Sequence, residues 1–172
     1  MIAEGLTALE ALGLAVRCEM DARALYQNLA SRIDNDLLKE RFLNLAQEEK
    51  RQQLLLEKKH REMFPEVELE IPPCQLPREV LEKTPGKELT IQEVLKTALE
   101  EVRRAREFYL DCAETTGDLS GKRMFRFLAD MKFSHQMMLT AELEMLEKYP
   151  AYYEGPGSWE VETRLKAPRI KR

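Results

Sequence analysis

The stretch 125-FRFLADMKFSH-135 decides the fold. Phe125, Leu128, Ala129, Lys132, His135 and Leu139 recur at three- and four-residue steps. That is one stripe of a 3.6-residue period, so the segment reads as one wall of a helix bundle. Lys132 and His135 lie in the middle of this apolar stripe, three apart, and point the same way. A lysine inside an apolar seam is costly unless an anion meets it. The chain carries a second copy of the stretch 83 residues earlier (132 − 49 = 83), 42-FLNLAQEEKRQ-52. Phe42 matches Phe125, Leu45 matches Leu128 and Ala46 matches Ala129. Glu49 holds the Lys132 position and Gln52 the His135 position.

The repeat extends well beyond this stretch. With the offset held and no gaps, residues 6–60 lie on 89–143, and Leu6, Thr7, Glu10, Leu12, Ala15, Ala22, Arg23, Tyr26, Ala30, Lys39, Gln53 and Leu56 also recur. Amphipathic helices of similar composition share residues by chance. Here the matches concentrate on the apolar stripes, and both helix–helix turns keep one length. The chain therefore reads as two helical hairpins of one design.

Helical periodicity covers residues 6 to about 33, about 37 to 63, about 90 to 114, and about 119 to 148. Pro65 and Pro150 end the second and fourth segments. Asn35 or Asp36 is placed to cap the second. Between the hairpins, residues 65–87 hold Pro65, Pro72, Pro73, Pro77, Pro85 and Gly86, a connection and not an element. A long connection in the middle of four helices implies a crossover, not plain up-down-up-down topology. The expected domain is an all-α four-helix bundle over 1–149, with hairpins at about 6–64 and 88–148, followed by an aromatic and basic tail over 150–172. Trp159 and the tail tyrosines are expected to pack against the bundle, with roughly the last eight residues mobile.

Bulk composition narrows the function classes. The chain has 172 residues, 44% hydrophobic and 34% charged, with 7 Gly, a mix that favours long amphipathic helices. A net charge of −4 argues against a general nucleic-acid binder. No apolar run is long enough for a membrane span, and no basic-then-apolar leader opens the chain. Cys18, Cys74 and Cys112 form no CxxC pair, as expected of reduced cytoplasmic thiols and not of a rubredoxin-type iron site.

The seam pattern underlying both hairpins is A-x3-E-x2-A-x3-Y on the first helix and F-x2-L-A-x2-E-x2-H on the second. This resembles the ferritin-like superfamily, and within it the rubrerythrin-type branch. The resemblance covers residues 4–148 and implies a duplicated bundle with a crossover between its second and third helices. It also implies a homodimer, though these residues do not specify the face. In that family two irons sit in the bundle, held by a Glu from each of two helices and a Glu-x-x-His from each of the others. Carried over by position, Glu19 and Glu49 match carboxylate ligands and His135 matches a histidine ligand. Gln52 stands where a His is expected, Val102 where a Glu is expected, and Lys132 where the bridging carboxylate is expected. Tyr26 and Tyr109, seven residues beyond Glu19 and Val102, line the same centre.

A count of charges frames the chemistry. Glu19 and Glu49 are offset by Lys132 and, when protonated, by His135, so the seam is near neutral without metal. A dication beside the ammonium would meet Coulomb repulsion. The expectation is a buried polar site of Glu19, Glu49, Gln52, Lys132 and His135 in which Lys132 replaces metal, with no cofactor and a non-catalytic structural or regulatory role. Two alternatives stay open. Lys132 can snorkel to the surface, or a residual iron site of one or two ions can persist on Glu19, Glu49 and His135 in an oxidoreductase of rubrerythrin or ferroxidase type. Glu48 and Glu101 adjoin the seam but are rotated about 100° from it. His60 reads as a surface residue, Cys18 as an ordinary thiol, Cys74 as the thiol most open to oxidation, and the basic run 164–172 as a solvated tail, with a docking segment for an anionic partner as the alternative.

Overall fold

The computed structural model describes residues 6–74, 76, 89–117 and 119–153, apart from the side chains of 152 and 153. Four long helices account for most of them: α1 (Ala8–Arg32), α2 (Asp36–Met63), α3 (Ile91–Thr115) and α4 (Leu119–Lys148). A 3-10 turn, Pro150–Tyr153, follows and packs on α4. Among the described residues there is no strand. The bundle is all-α, as the periodicity requires. The tail beyond 153, with Trp159 and the basic run, and most of 75–88 lie outside the described residues.

The repeat reproduces its own helix starts. Thr7 and Thr90 each accept from the backbone N–H three residues on, and Glu10 and Glu93 each accept from the cap backbone in return. These capping boxes satisfy two otherwise unpaired donors at each start. Asn35 caps α2, accepting from the N–H groups of Leu37 and Leu38 at 3.1 and 3.3 Å.

Cross-helix contacts give the topology. Arg32, ending α1, donates to the carbonyl of Leu89 at the start of α3 (2.7 Å). Arg41, early in α2, pairs with Glu142, late in α4. Lys59, late in α2, donates to Ser120 at the start of α4 (3.0 Å). Helices α1 and α3 thus run antiparallel, as do α2 and α4. Since each hairpin is itself antiparallel, α2 and α3 run the same way, and the link between them must travel the length of the bundle. Its described part runs along α1. The Glu70 carbonyl occupies the place where a Cβ on Gly13 would sit, and Arg17 donates to the Pro72 carbonyl at 2.6 Å. Only glycine admits that approach. The repeat counterpart of Gly13 is Lys96 (13 + 83 = 96), which is exposed.

Two apolar clusters fill the bundle. One holds Leu25, Leu29, Phe42, Leu95 and Leu139; the other holds Leu12, Val16, Phe108, Phe125 and Leu128. A polar layer lies at the level between them. One reading needs correction. His60 is buried, not on the surface: its ring lies 5.9 Å from that of Phe64, at the end of the helix. Cys74 is half-buried and remains the least enclosed of the three thiols. Burial raises the pKa of its thiol, which lowers its reactivity.

Candidate functional site

Each residue of the polar layer comes from the helical spacing read above. Glu49 and Gln52 on α2, and Lys132 and His135 on α4, are three apart and share a face. Glu19 and Tyr26 descend from α1, and Val102 and Tyr109 from α3. All eight are buried.

The Lys132 ammonium sits between two carboxylates. Its Nζ is 2.5 Å from Glu19 Oε2 and 2.6 Å from Glu49 Oε2, and all three side chains have 0% exposure. The side chain does not snorkel. With its amide turned to satisfy its surroundings, Gln52 donates to the same two oxygens, at 3.2 and 3.3 Å. Tyr109 donates to Glu19 Oε1 and also lies 3.3 Å from the Ala15 carbonyl. His135 Nδ1 lies 3.0 Å from Glu49 Oε1, close enough for an ion pair but not aligned as a hydrogen bond.

Two features were not legible in the spacing. Glu48 reaches the layer from outside: its Oε2 is 3.0 Å from His135 Nε2. Its backbone is rotated off the seam, but its side chain is long enough to bend back over the histidine. The second feature is an orphan. The Tyr26 hydroxyl is fully buried and has no hydrogen-bond partner among the described residues. The ring packs edge-on against His135 at 6.0 Å.

Electrostatics divide the two carboxylates. Burial pushes the Glu19 carboxyl well above its usual range; Lys132 opposes this and neighbouring Glu49 adds to it. Burial acts on Glu49 as well, but Lys132, a hydrogen bond from Glu19 and His135 together hold it well below the carboxylate range. Burial would lower the Lys132 ammonium, yet Glu19 and Glu49 hold its pKa above the ordinary value. These directions favour a charged Glu49–Lys132 pair, with Glu19 the carboxyl that more readily takes up a proton. Cys18 is pushed up to about 12, by burial first and then by Glu19, and remains an ordinary thiol.

Val102 contributes no donor atom. It lines a cavity of ≈ 210 Å³ between α1 and α3, together with Cys18 and the Lys132 side chain. Among the described residues, no three His, Cys, Asp or Glu side chains come together as a metal cage. No described helix is long and apolar enough to cross a membrane.

The comparisons with known proteins agree with this architecture. A hypothetical protein from Pyrococcus furiosus superposes with a TM-score of 0.70 at 33% identity, over 84% of this chain and 92% of its own. An uncharacterized conserved protein from Magnetospirillum magnetotacticum superposes with a TM-score of 0.60 at 23% identity, over 81% of this chain and 95% of its own, a likeness of fold. No curated protein matches the chain. The rubrerythrin family profile matches residues 10–143, nearly the whole bundle, and the chain belongs to the rubrerythrin family.

Proposed function

We propose that this rubrerythrin-family chain has exchanged its metal centre for an internal cation, and that it works as a structural or regulatory protein and not as an oxidase. One observation carries the reading: the Lys132 ammonium bonds both Glu19 and Glu49 at 2.5 and 2.6 Å with no solvent access. An iron pair needs four carboxylates and two histidines in this layer. Val102 has no lone pair, Gln52 turns its NH₂ toward the carboxylates, and an ammonium cannot ligate. These residues do not fit two irons. A dication about 4 Å from the ammonium would be repelled by roughly 8 kcal/mol at an effective dielectric near 20. A cytoplasmic location fits three free cysteines, and a homodimer completes the reading.

A second reading keeps one metal on Glu19, Glu49 and His135. In its favour, Glu49 Oε1 and His135 Nδ1 face each other at 3.0 Å, and neither has a hydrogen bond. It requires Lys132 to leave the centre.

The test is metal content after purification without chelator, with melting curves in the presence and absence of Fe(II) or Mn(II). The parent is expected to hold no iron pair and to melt at one temperature. The triple variant Gln52→His, Val102→Glu, Lys132→Glu restores the six-ligand set and is expected to gain about 2.7 kcal/mol at metal 100-fold above its Kd. Two irons per parent chain would sink the proposal; one iron with a rise in melting temperature would favour the second reading.

A further inference from the structure

We infer that two copies of this chain associate by seating the acidic segment 66–71 of one copy in a basic groove between α1 and α2 of the other. This does not depend on the metal reading.

The groove is a departure from the repeat. It has a volume of ≈ 470 Å³, is lined by Arg23, Lys50 and Arg51 over a floor of Leu43 and Ala46, and has no acidic side chain in its wall. Leu43 is 43% exposed, an apolar surface between cations. The counterparts in the second hairpin are Arg106, Phe133 and Ser134 for the three cations, and Asp130 for Gln47 (each + 83). There the Arg106 guanidinium lies 5.0 Å over the Phe133 ring, so the cation is held on an aromatic face. The first hairpin leaves the same place open and positive, on a chain whose net charge is −4.

The segment 66–71 has the complementary chemistry. Glu66, Glu68 and Glu70 are exposed and alternate with Val67, Leu69 and Ile71. Leu69 packs on the core, while Val67 and Ile71 are 46% and 38% exposed. The backbone here is neither helix nor strand but is fixed on α1 through Gly13 and Arg17, so little conformational freedom is lost on binding. Among the described residues none of Arg23, Arg51, Glu66, Glu68 and Glu70 is in an ion pair.

The groove and the segment cannot meet within one copy. From Arg17, beside the segment, to Arg23, in the groove, is six residues, which places them about 120° apart around α1. Only a second copy brings them together. Opposite charges across such a contact set its register and make it salt-sensitive.

The experiment is sedimentation velocity on the full chain at about 25 mM and about 500 mM salt, where screening lengths differ several-fold. Mass above one chain is expected at low salt and should fall toward one chain at high salt. The groove reversal (Arg23→Glu, Lys50→Glu, Arg51→Glu) and the segment reversal (Glu66→Lys, Glu68→Lys, Glu70→Lys) should each weaken self-association at least 100-fold. Mixing the two reversed proteins should recover it to within about 10-fold, since each then supplies what the other lacks. If a triple variant fails to fold, Arg51→Glu and Glu68→Lys alone should show the same loss and the same recovery on mixing. A parent that stays a single chain at low salt, an association indifferent to both reversals, or folded variants that do not recover on mixing would each overturn the inference. The last outcome would point instead to a foreign acidic partner for the groove.

Discussion

The two hairpins share one design and differ where they meet. In one half of the polar layer, Tyr109 of the second hairpin donates to Glu19 of the first. The repeat sends Tyr109 to Tyr26 (109 − 83 = 26) and Glu19 to Val102 (19 + 83 = 102). In that half the tyrosine is equally buried and its hydroxyl has no partner among the described residues. The difference shows that the two positions are not equivalent. Lys132 keeps Glu19 and Glu49 paired. Val102, at the counterpart of Glu19, offers no acceptor to the tyrosine that the repeat assigns to it. An unpaired buried hydroxyl costs roughly 1–3 kcal/mol.

The largest effect is expected where both halves depend on one atom. Lys132→Met keeps an unbranched side chain, one atom shorter, and deletes its charge, leaving Glu49 uncompensated. Breaking a buried pair in this way costs about 3–5 kcal/mol. Urea unfolding at neutral pH should show that loss, and mild acid should recover part of it as the second carboxyl takes up a proton. The charge sign gives a second readout. The Lys132 pKa is raised in the folded state, so its stabilisation is fully present below the unfolded value near 10.4 and is lost as pH rises through the folded value. The alkaline limb of the parent's stability profile should therefore flatten in Lys132→Met. A loss under about 1 kcal/mol would mean that the lysine does not hold the centre together.

The next effect separates the two glutamates. The folded-state pKa of Glu49 is lowered, so its stabilisation is present above about 4.3 and is lost as pH falls through the folded value. The pKa of Glu19 is raised, so the folded chain takes up a proton there. Its contribution is full below about 4.3 and declines as pH rises through the folded value. Glu19→Gln imitates the protonated form; it should cost about 1 kcal/mol or less and erase that decline. Glu49→Gln should cost about 2–3 kcal/mol, because Glu19 must then release its proton to balance Lys132. Chemical unfolding between about pH 2 and 9 measures both, a span that runs from below the ordinary carboxyl values to well above them. Equal losses with parallel pH profiles would contradict the division of charge.

Most of this centre was legible in the sequence, because a gapless repeat makes position a strong constraint. Once Phe42 lay on Phe125, the repeat put Glu49 and Lys132 at equivalent places and helical spacing put His135 on the Lys132 face, while the family resemblance brought Glu19 to the same centre. What escaped depended on side-chain reach or on distant chain. Glu48 was placed by its Cα direction, and a glutamate can bend across that angle to His135. His60 looked solvent-facing because Phe64, which covers it, lies past the end of the periodic stripe. Tyr26 and Tyr109 looked alike because the repeat aligns them, and only the missing acceptor at 102 tells them apart.

The tyrosine pair sharpens that contrast at smaller scale. Tyr109→Phe removes a donor from a buried carboxyl and should cost about 1–3 kcal/mol. Tyr26→Phe removes a hydroxyl that has no partner among the described residues, and should be neutral or stabilising by up to about 1 kcal/mol. Melting temperatures of the two single variants decide it, and equal losses would mean that Tyr26 is satisfied in solution.

The smallest effect is the coupling between positions 26 and 102. If Val102 strands the Tyr26 hydroxyl, an acceptor at 102 should be worth more when that hydroxyl is present. Val102→Gln places an amide oxygen at the position corresponding to Glu19 without adding charge. Alone it buries a polar group in an apolar wall, so a net loss is expected from desolvation. Tyr26 should return part of that loss by donating to the new oxygen, and a phenylalanine in its place cannot. The cycle of parent, Val102→Gln, Tyr26→Phe and the double variant removes the desolvation term, since it is common to both arms. A coupling of about 1 kcal/mol favouring Tyr26 together with the new glutamine is expected, the size of one net buried hydrogen bond. Denaturant midpoints at constant slope would measure it. A coupling within about 0.3 kcal/mol of zero would show that the two residues do not meet as the repeat requires, and the unpaired hydroxyl of Tyr26 would then have a cause other than the missing carboxylate.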